Sequence, residues 1–161
     1  MKIIIRQIKI LLSILSVAFI ISFVLSQNAN PNSLFLYNLK RLQEKTILKL
    51  MVSPKNNLGY QTKLLEKRLG EIVTITNLNE HSFILKSSLR YSTTTGQITE
   101  YILKNNMQDS ILPTQSILKR HRDVLQAVVD KYPKDLDIEW KFIQDDINYV
   151  DIYSKMLDQS Q

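Results

Sequence analysis

Apolar side chains recur at steps of three and four residues over almost the whole chain beyond residue 33, and that spacing fits one class of fold. Such steps align side chains on one face of an α-helix. Phe35, Leu39, Leu42, Thr46 and Leu50 form the first stripe, widened by Leu36 and Ile47, and predict a helix from an N-cap at Ser33 to about Val52. Ser53-Pro54 ends it and starts the next, because proline disfavours helix in the residue before it yet suits a first helical turn, where Ser53 can cap the free amides. Leu58, Thr62, Leu65, Leu69, Ile72 and Thr76 supply the second stripe. With so short a turn between them, the two helices are expected to pair as an antiparallel αα-hairpin. That register sets Arg41 near Glu66 and Glu44 near Lys63, a register-setting ion-pair network at the bundle edge, with a partner-binding patch as the alternative.

Asn77-Leu78-Asn79-Glu80 reads as a break. Phe83, Ser87, Arg90, Tyr91, Thr94, Ile98 and Tyr101 then keep helical spacing through a weaker stretch, Thr93-Thr94-Thr95-Gly96, where β-branched residues precede a glycine costing about 1 kcal/mol relative to alanine. A strand pair is the alternative there, and a hinge is the functional use. Asn105-Asn106 opens the next connection, and Pro113 lies near the start of a helix carrying Ile117, Leu118, Val124, Leu125, Val128, Val129 and Tyr132 that stops before Pro133. A last helix is expected from about Asp135 to Leu157, with Leu136, Trp140, Ile143, Ile147, Val150 and Leu157 on one side and Asp135 and Asp137 in a first turn that favours anions. The predicted fold is all-α, a bundle of about five helices over residues 34–158.

Ahead of this domain, a basic start (Lys2, Arg6, Lys9) leads into the uncharged apolar run Ile10 to Leu25, and no Asp or Glu occurs before Glu44. This pattern predicts an export signal or a single transmembrane anchor over residues 1–26, with the cations held in the cytoplasm and the body beyond the membrane. The run is short for a bilayer, and Val24-Leu25-Ser26 offers a cleavage site, so the alternatives are a one-pass anchor from about Ile4 to Ser26 and a secreted form cut after Ser26. Gln27 to Ser33 is a small, polar spacer.

Without residues 1–26 the charge falls from +6 to 18 Lys and Arg against 15 Asp and Glu, which removes most support for nucleic-acid binding. Residues 27–71 hold eight cations and three anions, while residues 110–161 hold seven and nine, a polarity compatible with anionic lipid beside the anchor. With no cysteine, neither disulfides nor thiolate metal sites are available, and with no Asn-x-Ser/Thr sequon a prokaryotic envelope is the natural setting. The two histidines, His81 and His121, share no zinc-binding spacing; His121, inside Lys119-Arg120-His121-Arg122, reads as part of an exposed basic turn. Three glycines, Gly59, Gly70 and Gly96, cannot assemble a phosphate-cradling loop or a nucleophile elbow. Asp145-Asp146 and Asp151 read as a solvated acidic face. Catalysis and a cofactor are therefore not expected.

The string from Pro31 through Ser33, Tyr37, Leu39, Lys40, Arg41 and Glu44 to Lys45, followed after the turn by Lys67-Arg68-Leu69-Gly70-Glu71, resembles the bacterial exported family known as domain of unknown function 5667. The resemblance covers about a quarter of the chain. It departs at Gly59-Tyr60-Gln61-Thr62, and it implies an envelope helical domain with no assigned substrate, cofactor or catalytic residue. In the last helix, Phe142, Tyr149, Tyr153 and Met156 share a face distinct from the core stripe. Either the bundle wraps that face or it docks a protein partner. The expected function is a membrane-anchored or exported helical binding or structural module, the alternative a ligand-responsive membrane-proximal sensor.

Overall fold

A computed structural model describes residues 34–160 together with scattered helical positions between residues 7 and 24. The expected signal-anchor, 1–26, and linker, 27–33, lie largely outside the described residues, and among those described no helix is long and apolar enough to cross a membrane. The described part is helical, with no strand. Its elements are α1 (Leu34–Leu50), α2 (Pro54–Asn77), α3 (Ile84–Lys104), α4 (Ile111–Lys131) and α5 (Trp140–Asp158), with 3₁₀ turns at His81–Phe83 and Gln108–Ser110.

The chain divides into two compact units, Met1–Leu50 and Met51–Gln161, so α1 and α2, the arms of the expected hairpin, belong to different units. On α1 the expected stripe is corrected: Leu42, Thr46 and Leu50 are exposed, whereas Lys40 and Gln43 are buried. Spacing alone identified a helix there without fixing which of its faces is covered.

Within the second unit α2 packs on α3, α3 on α5, and α5 on α4, while a thinner seam joins α4 to α2. The consecutive helices α3 and α4 are thus diagonal rather than adjacent. Glu71 on α2 accepts from Arg68 Nη1 at 2.9 Å and from Arg90 Nη1 of α3 at 3.4 Å, which fixes the α2–α3 register. Arg122 Nε of α4 donates to Asp151 Oδ1 of α5 at 2.9 Å. The hairpins of the body are therefore α2–α3 and α4–α5. Leu58, Leu65, Leu69 and Ile72 of α2, Ile84, Ile98 and Ile102 of α3, Leu118, Leu125 and Val129 of α4, and Ile143, Ile147, Val150 and Leu157 of α5 make one continuous core.

Pro54 opens α2 as expected, but the Ser53 side chain makes no capping bond; its carbonyl accepts from Asn57 N at 2.9 Å instead. Asn79 (φ 56°) and Asn106 (φ 50°) end α2 and α3 in the left-handed region, where asparagine is among the few tolerated residues. In each case the next amide reaches back five residues, Glu80 N to Ile75 O and Met107 N to Ile102 O, both at 3.0 Å. The two connections repeat one geometry 27 positions apart, each leading through a 3₁₀ turn into an isoleucine, Ile84 or Ile111.

The weak stretch of α3 stays helical. Thr93, Thr94 and Thr95 hydroxyls donate to the carbonyls four residues back, Leu89, Arg90 and Tyr91, at 2.6, 2.7 and 3.0 Å. Gly96 admits Tyr153 of α5, whose hydroxyl oxygen lies 2.7 Å from where a Cβ would stand. Helical propensity lost at Gly96 is exchanged for close α3–α5 approach. The last helix begins at Trp140 rather than Asp135. Leu136, expected inward, is 74 % exposed in the turn ahead of the helix, where the Asp137 side chain accepts from Glu139 N.

Gly96→Ala is expected to gain about 1 kcal/mol of stability in a Tyr153→Ala background, where only helical propensity changes, and to gain less or lose in the wild type. Urea unfolding of the four proteins measures the difference.

Candidate functional site: a polar line through the bundle

The stripe Leu118, His121, Leu125 follows steps of three and four, so His121 falls on the buried face of α4 while Lys119 and Arg120 turn outward. The expected exposed basic turn is corrected at this residue: His121 is fully buried. The same spacing governs Ile143, Asp146, Ile147 and Val150 on α5, and places Asp146, read from sequence as solvated, at 0 % exposure, while Asp145 remains outside. Neither residue was found from sequence, although apolar neighbours at helical spacing on both sides carried the signal.

His121 links two sides of the bundle. Its Nε2 lies 3.1 Å from Oε1 of Glu66 on α2, which Arg120 also engages. Its Nδ1 lies 3.2 Å from the phenol oxygen of Tyr91 on α3, and the two rings stack with centroids 5.9 Å apart. An ionised Glu66 only accepts, so Nε2 carries the imidazole proton and Nδ1 accepts from the Tyr91 hydroxyl. Burial holds the His121 pKa below its usual value against the raising effect of Glu66, and so keeps the ring neutral. The Glu66 carboxyl is held below the ordinary range by hydrogen bonds from His121 and Arg120, which outweigh the opposing effect of its partial burial.

Asp146, close enough to act on the Tyr91 phenol, is a further buried ionisable group. Neither of its carboxyl oxygens has a hydrogen-bond partner. The Ser88 hydroxyl beside it donates to the Phe142 carbonyl at 3.0 Å, and the Ser87 hydroxyl is likewise buried without a partner. Burial pushes the Asp146 pKa up to about 8, with Asp145 adding like-charge repulsion and Ser88 easing it. Burial also raises the Tyr91 phenol, and the field of Asp146 adds to this.

A second polar cluster ties the hairpins at one end. Asp137 accepts from Tyr132 Oη at 2.6 Å and from Glu139 N at 2.9 Å, and lies 2.7 Å from His81 Nδ1. His81 stacks on Tyr132 with centroids 4.7 Å apart. It is a clamp between the α2–α3 turn and the α4–α5 loop, 56 residues apart in sequence. The Tyr132 bond is the largest of the effects that keep the Asp137 carboxyl ionised.

Of the residues singled out by sequence, Arg41 and Glu44 lie in the first unit and Lys63 and Glu66 in the second; within the second unit Glu66 is engaged by Arg120 and His121. Phe142 is half-buried against the core. Tyr149 is 45 % exposed and stacks on the half-buried Tyr153 at 6.3 Å, and Ile152 (51 %) and Met156 (38 %) continue the outer face of α5. Among the described residues no group of three His, Asp or Glu side chains could hold a metal ion. Comparison with protein-family models, curated proteins and solved structures finds no match.

Because folding raises the Asp146 pKa, its contribution to stability is complete while the carboxyl is protonated and declines as pH rises from about 4 to about 8. His121 acts in the opposite sense on acidification below its usual pKa of 6.5, since the folded state resists its protonation. Asp146→Asn isolates the first effect. Its thermal midpoint should exceed that of the wild type above about pH 8 and converge with it toward pH 4. Tyr91→Phe, which leaves the buried Nδ1 of His121 without its donor, should cost about 1–3 kcal/mol in denaturant unfolding.

Proposed function

We propose that this protein is a helical binding module of the cell envelope, tethered to the membrane by its N-terminal segment and without catalytic activity, that docks a helical protein partner on the outer face of α5. The observation that carries the reading is the run Tyr149, Ile152 and Met156, three large apolar side chains left 45 %, 51 % and 38 % exposed at helical spacing on a helix whose opposite face closes the core. A ridge of this spacing matches the apolar face of an amphipathic helix. Phe142, half-buried under the core, drops out of the expected docking set.

The tether rests on sequence: three cations before an uncharged apolar run of sixteen residues, and no acidic residue before Glu44. Leu11, Ile14, Val17, Phe19, Ile20, Ile21 and Val24 are helical and more than half exposed, which suits contact with lipid. The resemblance to domain of unknown function 5667 points to the same compartment. Non-catalytic action is supported by the lack, in sequence, of glycine-clustered or paired-histidine motifs. A ligand-responsive sensor would need its moving part elsewhere than Thr93–Gly96, since α3 runs through that stretch and Tyr153 packs on it.

A photo-crosslinking residue at Ile152 in the full chain in cells should capture a defined protein that the same residue at the exposed Lys119 on α4 does not, and Tyr149→Ser should weaken capture. Equal capture at both positions, or none at Ile152, overturns the docking reading. Alkaline extraction of membranes tests the tether separately: the full chain should stay with the pellet and a chain lacking residues 1–26 should not.

A further inference from the structure

We propose that α1 is an interfacial helix, lying along an anionic phospholipid surface with Leu42, Thr46 and Leu50 in the headgroup layer and Arg41, Lys45 and Lys49 on the lipid phosphates. The inference rests on the N-terminal tether proposed above and is independent of what docks on α5.

From residue 38 to residue 50 the exposed positions of α1 alternate steps of three and one, so they form a single helical face. Two rows run along it. Arg41, Lys45 and Lys49 make one at steps of four, and Leu42, Thr46 and Leu50 make the other beside it. Among the described residues of α1 no carboxylate stands on that face, because Glu44 falls on the partly covered side. Leu42 is 63 % and Leu50 74 % exposed, an apolar row left open to whatever lies outside. Between the leucines the Thr46 hydroxyl donates to the Leu42 carbonyl at 2.9 Å, so it enters an apolar layer already satisfied. Asn38, Arg41, Leu42 and Lys45 line a shallow depression of about 250 Å³, in which a guanidinium and an ammonium one turn apart can bind the same phosphate.

Chain length and charge select a lipid surface over other occupants. Residues 27–33, however arranged, reach at most about 25 Å from the proposed anchor, so Leu34 starts α1 within that distance of the bilayer. Arg41 and Lys49 stand about 12 Å apart along the helix axis. Upright, the helix would carry Lys49 beyond the ~8 Å over which physiological salt leaves a surface charge felt, whereas lying flat it brings all three cations to the phosphates. The apolar row is too thin to hold α1 on lipid by itself, so the cations are required and the charge of the lipid decides.

The chain has no cysteine, so Thr46→Cys, or Lys119→Cys as the reference, gives the full chain a single site for a nitroxide label. In vesicles of phosphatidylglycerol with phosphatidylcholine, the label at position 46 should be shielded from a water-soluble nickel chelate and open to dissolved oxygen, while the label at the exposed position 119 shows the reverse. In phosphatidylcholine alone that shielding should be lost. It should also be lost when Arg41→Gln, Lys45→Gln and Lys49→Gln are combined, changes that keep helical propensity. A label at position 46 as open to nickel as the one at 119 in anionic vesicles overturns the inference. Shielding that is the same in both lipids overturns it too, and points to a protein surface over α1. Alkaline extraction of the same vesicles separates the two readings: a chain that leaves them strikes the tether and α1 with it, whereas a retained chain with an open label strikes α1 alone.

Discussion

The interior of a short four-helix body has room for one layer of side chains, and here part of that layer is a phenol, an imidazole and a carboxyl. Each must be hydrogen-bonded, neutral or both, because an unpaired charge in such a core costs several kcal/mol. Tyr91 and His121 satisfy one another and Glu66 satisfies the ring from outside. Asp146 has no such partner, so its protonation state becomes a structural variable. The remaining packing is ordinary by comparison: leucine, isoleucine and valine rows facing one another at helical spacing.

The polar residues also share a position in the topology. Glu66 and Tyr91 belong to the α2–α3 hairpin, His121 and Asp146 to the α4–α5 hairpin, and so do the two sides of the His81–Asp137 clamp and of the Gly96–Tyr153 contact. Within each hairpin the registry is set by ion pairs, the largely buried Arg68–Glu71–Arg90 in one and the exposed Arg122–Asp151 in the other. Between them it is set by buried polar contacts.

Much of this body is legible in the sequence because its boundaries are written in residues with few backbone options. Pro54 and Pro113 mark first turns, and Asn79 and Asn106 occupy the left-handed positions that end α2 and α3. Stripes at steps of three and four recover most of the core. The same stripes also ran through His121 and Asp146, yet residue type outweighed position and both were assigned to the surface. The start of α5 was misplaced because Asp137 looked like a first-turn anion, when its side chain instead accepts from Tyr132 and Glu139. The pairing of α2 with α3 had no sequence marker, since one amphipathic helix does not name its neighbour.

That α3 and α4 are consecutive in sequence but diagonal in space has a consequence for assembly. The link Asn105–Ser110 joins helices that meet at Tyr91 and His121 without packing along their length, and it carries the chain from one hairpin to the other. Were that link to straighten, each half of one molecule would meet the complementary half of another through the same contacts, at the cost of the Asn106 turn and of the packing of Met107 and the Gln108–Ser160 bond. Exchange of halves between two chains is accordingly the misassembly this architecture is most exposed to when many copies fold at once.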